Sequence, residues 1–213
     1  MIKKLAIIGT KDFASQIREY ACRAGGFEFI GYLDNIEPVG NMIEGFPVLG
    51  SVDDAIKLKE DGVIDCVFIA VGYTRFDLRE SFFTLLRGRV PFANIVDKSV
   101  KKGKNVIIGE GVYIGPDTEL GDNTIVGNNV FVHGGTVIGH DNIICDHTYI
   151  SGRFDSAGFC KIGARNFIGI RVILSDHITI CDDVWVGLGC VVAKDINKPG
   201  KYMSSAAKLY KIE

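Results

Sequence analysis

Residues 106–127 read VIIGEGVYIGPDTELGDNTIVG, and the spacing of their aliphatic side chains decides the fold. Ile108, Ile114, Leu120 and Val126 stand six apart, each followed by glycine. The step continues without a slip through Val132, Ile138, Ile144, Ile150, Ser156, Ile162, Ile168, Leu174, Ile180, Val186 and Val192. Fourteen of these fifteen positions are Ile, Leu or Val, types that supply only 58 of the 213 residues, so chance is excluded. The next residue is Gly, Ser, Ala or Cys at fourteen of fifteen positions, His133 being the exception. A triangular prism explains both columns. Each hexapeptide makes one flat face, three make an 18-residue coil, and the aliphatic residue points into a shared core. The following residue must be small because the chain turns a corner there. Residues 98–213 are therefore expected to form a left-handed parallel β-helix, with the tail from Asn197 leaving the pattern.

Residues 1–97 have a different rhythm. Apolar runs at 5–9, 27–34, 65–72 and 93–97 read as strands. Helical spacing marks 12–24 and 76–86, and Ser51 can cap a short helix through Lys59. The alternation predicts a Rossmann-like α/β domain with a parallel sheet of four strands.

The charge of -2 gives no basic field for nucleic acid or an anionic membrane. No apolar stretch approaches the ~20 residues of a bilayer span. The run at Leu5–Ile8 is too short for a secretory signal. Six cysteines without a CxxC pair read as buried free thiols, which suits a reducing cytoplasm.

Counting the inward aliphatic residue as zero, His133 falls at plus one, His140 at plus two, and His147 and His177 at plus three. Only His140 is followed by an acid, Asp141. A transferase must remove a proton as an amine or hydroxyl attacks a thioester, and histidine suits that work. A neighbouring carboxylate fixes its tautomer. From position alone His140 reads equally as such a base or as a solvated loop residue, and His147 as a surface residue. The outward residues Phe131, Tyr149, Phe167 and Trp185 leave flat apolar faces, which points to packing between copies in a homotrimer.

A Rossmann-like half followed by this β-helix, with TVIGHDNIICDHTYISG (136–152) in its middle coils, resembles the bacterial sugar acetyltransferases typified by PglD and NeuD. The resemblance covers essentially the whole chain and implies an acetyl-CoA-dependent enzyme of cell-surface polysaccharide biosynthesis. It acts on the amino group of a nucleotide-linked deoxyamino sugar and needs no metal. His140 becomes the general base and Asp141 its partner, with Asp in place of the family's usual Glu. His133 stands where the family has an Asn, as a substrate contact or a corner residue at a subunit boundary. Tyr149 takes the place of a second family histidine near the acetyl group. Gly158, Ile170 and Gly187 align with contacts to the pantetheine arm. The C-terminal GVPAK motif appears as SSAAK (204–208), with Lys198, Lys201, Lys208 and Lys211 near enough for CoA phosphates. In the N-terminal half, Gly9, Lys11, Asp34, Asn35 and Gly72 take the nucleotide-binding positions, although the turn GTKDFA (9–14) keeps only one glycine. Two alternatives accompany this reading: O-acetylation of a sugar hydroxyl, as on sialic acid, and a γ-carbonic-anhydrase-like metal hydratase.

Overall fold

The hexapeptide phase becomes three parallel sheets of seven, six and five strands in the computed structural model, which describes residues 2–205. The SSAAK segment beyond Ser205, with Lys208 and Lys211, lies outside these residues. Strands of mostly two residues pair with the strand 18 positions on, so Phe131 faces Tyr149 and Val132 faces Ile150. The aliphatic column from Ile114 to Val192 is buried throughout. A second inward column lies two residues earlier and was not apparent from the hexapeptide step. It is apolar at Val112, Val130, Phe154, Val172 and Val184, and polar at Thr124, Asn142, Thr148 and Asn166. The polar members satisfy corner backbone groups that would otherwise be buried without partners. Thr148 donates to the Gly163 carbonyl at 2.7 Å, and Asn166 donates to that of Cys181 at 2.9 Å.

In the N-terminal half the order is β1 (Lys3–Ile8), α1 (Asp12–Ala24), β2 (Phe27–Leu33), β3 (Met42–Ile43), β4 (Phe46–Gly50), α2 (Ala55–Glu60), β5 (Cys66–Ile69) and α3 (Phe76–Leu86). The sheet runs β3-β4-β2-β1-β5, parallel except where β3 opposes β4. Two expectations change. The sheet's extra strands are β3, only two residues long, and β4, whose FPVLG run is broken by Pro47 and Gly50. The stretch at 93–97 leaves the sheet instead. Phe92 bridges Val67, but Ile95–Val96 pairs with Tyr113–Ile114 as the first strand of the prism. Ser51 closes the turn that leads into α2, donating its N–H and hydroxyl to the Asp54 carboxylate, both at 2.8 Å, and accepting from the Asp54 N–H at 3.4 Å.

One prism face, carried by Ile95–Val96, Tyr113–Ile114 and their stacked successors, docks against this sheet. Its outward residues form a ladder, Tyr113, Phe131, Tyr149, Phe167 and Trp185, with Phe167 and Trp185 rings 3.9 Å apart. The ladder was expected to face other copies. It is instead covered by Phe13, Phe68 and Tyr73 of the same chain, and Phe131 is fully buried. Each such ring stabilises the docking by about 2 kcal/mol. Arg79 of α3 completes the contact. It is fully buried, lies over the Phe131 ring, and donates to the carbonyls of Asn129 and His147. Burial pulls its pKa down to about 9, which leaves it charged at neutrality. His147 is correspondingly not a surface residue. It is buried, with Nδ1 3.0 Å from the Asn129 amide.

Candidate active site

The three prism corners recur every 18 residues, and the corner opposite the docked face carries the His140–Asp141 pair. It joins the faces of Val137–Ile138 and Ile143–Ile144. His140 and Asp141 turn it, with Asp141 in the left-handed region at φ 56°. That conformation swings the carboxylate back along the corner, so that Oδ2 meets His140 Nδ1 at 2.8 Å. An ionised carboxylate only accepts, so Nδ1 carries the proton and Nε2 keeps its lone pair toward solvent. The other oxygen, Oδ1, accepts from Asn123 Nδ2 at 3.0 Å, and Asn123 in turn accepts from Asn105 at 3.1 Å. Asn105, Asn123 and Asp141 occupy successive coils with the same left-handed backbone. Hydrogen bonds from His140 and Asn123 hold the Asp141 carboxyl below its usual range.

The imidazole lies over Gly158, one coil further on. A Cβ there would sit 2.6 Å from His140 Cε1 and 2.7 Å from Nε2. Beyond it, the exposed Phe159 ring stands edge-on to His140 at 5.0 Å and stacks on His177 at 4.9 Å. His177 repeats the pairing, with Nδ1 3.1 Å from Asp176. The corner is thus an open wall of base, aromatic ring and second imidazole.

A separate cavity of about 590 Å³ opens at the carboxyl ends of β1, β2 and β5. Gly9, Lys11, Asp34, Asn35 and Gly72 all line it, among Ile8, Leu33, Leu78 and Phe82. Ligands of open α/β sheets enter at this place. Gly9 turns at φ 108°, and a Cβ would press on the Ala70 carbonyl at 3.1 Å.

The segment 4–84 matches the PglD N-terminal domain family, and 100–134 matches the bacterial transferase hexapeptide family of six repeats. The first half thus resembles a PglD N-terminal domain, and the second opens on a hexapeptide-repeat match that the β-helix continues. Curated relatives match a shorter stretch. A UDP-3-O-acylglucosamine N-acyltransferase of Bordetella avium is 38% identical over 66 residues, 31% of this chain and 18% of that protein. The chain therefore spans about a fifth of the length of the curated relatives it matches. Among solved structures, a mutant perosamine N-acetyltransferase from Caulobacter crescentus, in complex with CoA and GDP-perosamine, superposes with a TM-score of 0.84. It is 23% identical, with 100% of this chain and 99% of that chain covered. The acetyltransferase domain of PglB from Neisseria gonorrhoeae, in complex with acetyl coenzyme A, gives 0.85 at 22% identity, covering 98% and 99%. These likenesses show a common fold over the whole chain.

Within the matched segment 4–84 the five expected residues line the cavity, but their side-chain groups are already engaged. Asp34 accepts from the Thr10 hydroxyl at 2.8 Å and from the Ile36 N–H at 2.8 Å. Asn35 accepts from the Val52 N–H at 2.8 Å, and Lys11 reaches Glu37 at 3.8 Å. Asp34 and Asn35 therefore shape the cavity wall, and Lys11 and Arg75 are the cations in its lining.

On the prism, Gly158 sits under the His140 ring, not on an open path for pantetheine. Ile170 and Gly187 turn a different corner, between the docked face and the face of Val191–Val192. A Cβ at Gly187 would meet Met203 at 3.1 Å. Tyr149 lies within the docked ladder, nearly buried between Phe131 and Phe167, and burial pushes its phenol well up. His133 is enclosed by Phe13, Tyr113 and Tyr149, with Nε2 shielded and without a partner. Burial, aided by the Arg79 charge, drives its pKa down to about 4. No three His, Cys, Asp or Glu side chains among the described residues converge on a metal position. Sequence reasoning missed Asn123, Phe159 and His177. Their spacing from Asp141, 18 residues for Asn123 and Phe159 and two coils for His177, was available as a signal once the coil length was known.

Proposed function

We propose that the protein transfers the acetyl group of acetyl-CoA to the amino group of a nucleotide-linked deoxyamino sugar. The observation that carries this reading is the Asp141-held imidazole of His140, with Nε2 free at an open corner. Nε2 takes the proton that the amine loses as its C–N bond forms and the thioester C–S bond breaks, and the imidazolium then returns that proton to the departing CoA thiolate. Asp141 stabilises the resulting imidazolium and keeps the ring from rotating. The N-terminal cavity receives the nucleotide, its apolar walls taking the base.

The layout supports a site shared between copies. His140 is roughly 15 Å across the prism from the docked face, given six residues per side at ~3 Å each. Its own N-terminal cavity and its own Ile170 and Gly187 face elsewhere. A C3 homotrimer would bring the His140 corner of one copy against the Ile170 corner of the next. Outward aliphatics on the two undocked faces, among them Ile107, Val137 and Val191, are exposed in the single chain and available for such packing.

Thioester cleavage, followed by thiol release against nucleotide-linked amino sugars and free sialic acids, tests the assignment. His140→Ala should keep the fold and lose about 10²–10⁴-fold in turnover. A loss under about threefold rules out the base, and turnover confined to sialic acids moves the reading to O-acetylation.

A further inference from the structure

The corner between the docked face and its successor carries two arginines that the proposed chemistry does not use. Arg153 and Arg171 are 18 residues apart, so they stand on adjacent coils about 4.8 Å apart along the stack. Both side chains line one open cavity of about 500 Å³, with Gly135, Asp155 and Ile173. Among the described residues no carboxylate comes within ion-pair distance of either guanidinium, although Asp155 shares the cavity. Arg165 provides the contrast on another corner. It has the same left-handed backbone but is surrounded by Glu80, Asp182 and Asp183 at 3.6, 3.5 and 2.7 Å. Where this prism uses arginine to hold itself together, it supplies the acids.

The backbone sharpens the point. Arg153 and Arg171 adopt φ of 58° and 57°, a region that suits glycine or asparagine. Gly135 and Gly189 fill the same column on the flanking coils, with φ 70° and 66°. Long cationic side chains have thus been placed where a small residue fits with less strain. Two like charges on adjacent coils repel, and two guanidinium forks that line one cavity offer paired donors to the oxygens of a phosphate chain.

We propose that Arg153 and Arg171 form a diphosphate-binding cleft. Resting on the proposed transfer reaction, the ligand is the diphosphate of CoA or of the nucleotide-linked sugar, brought to the neighbouring copy's His140 corner.

Titration calorimetry on the full chain with CoA and, separately, with UDP and GDP tests this without any turnover. Asparagine tolerates the left-handed backbone, so Arg153→Asn/Arg171→Asn should fold and melt like the parent. The double variant should bind at least one ligand class tenfold or more weakly, and which class weakens identifies the source of the diphosphate. Arg87→Gln/Arg89→Gln, the same loss of two charges at exposed positions of the N-terminal half, should alter affinity less than twofold. A loss below tenfold for every ligand overturns the proposal. So does an equal loss from Arg87→Gln/Arg89→Gln, or failure of the parent chain to bind any of them. A parent chain that binds through this pair yet transfers no acetyl group would retain the cleft and discard the reaction.

Discussion

Gly158→Ala separates two roles that the resemblance and the structure assign to one residue. Its backbone lies outside the left-handed region, so alanine is sterically acceptable to the chain itself. The new Cβ would fall 2.6 Å from His140 Cε1, against a normal carbon–carbon approach of ~3.5 Å, so the ring must retreat about 1 Å. His140 is exposed and can move at little cost in stability. Replacing glycine also removes unfolded-state freedom worth about 0.4–1 kcal/mol. The melting temperature should therefore hold or rise slightly. The retreat separates Nδ1 from Asp141 and displaces Nε2, and a misplacement of ~1 Å costs on the order of 10²-fold in rate. Steady-state kinetics should show kcat down by about 10–100-fold with KM for acetyl-CoA changed far less. In a His140→Ala background the same substitution should add little, because the two act through one ring. An unchanged kcat with a raised KM for the thioester would make Gly158 a donor contact and refute the platform argument.

The remaining expectations concern the ladder, the buried histidine and the assembly. Asn123→Asp sets a second carboxylate beside Asp141 and should raise the latter's pKa, moving the acid limb of the pH–rate profile upward. An unmoved limb would mean that the asparagine ladder does not tune the base. His133 has a folded pKa near 4, below the ordinary 6.5, so as pH falls the unfolded chain takes the proton first. Stability present above pH 6.5 is then lost toward pH 4, by about 2 kcal/mol at pH 5. Urea titrations of His133→Asn should lack that part of the slope, and equal slopes would mean that His133 is solvated. For the shared site, His140→Ala and Ile170→Trp chains should recover activity when mixed and reassembled. Ile170 suits this test because it is exposed, whereas a bulky group at Gly187 would strike Met203 of its own chain. Active monomers in sedimentation, or silent mixed trimers, would place base and donor site in one chain.

The repeat from Ile108 to Val192 was legible because a prism forces one inward position every six residues, and a local spacing rule survives in the linear chain. His140 with Asp141 was legible for the same reason, being adjacent and in phase. The cavity residues Gly9, Asp34 and Gly72 could be placed because strand ends of a parallel sheet gather at one edge. What lies over each prism face is a different matter. Tyr149 and Phe131 have the pattern of exposed residues in the repeat. Only the fold of residues 1–92 onto that face makes them core, by burying apolar area that no local rule records. The same docking buries His133 and His147, and it turns Arg79 from a helix surface charge into a contact between the halves. Gly158 reads as one more corner glycine until coil stacking sets it beneath an imidazole 18 residues away. Arg153 and Arg171 become neighbours by that stacking alone. Sequence determines the period, but which residues meet across coils and across domains is decided by packing in three dimensions.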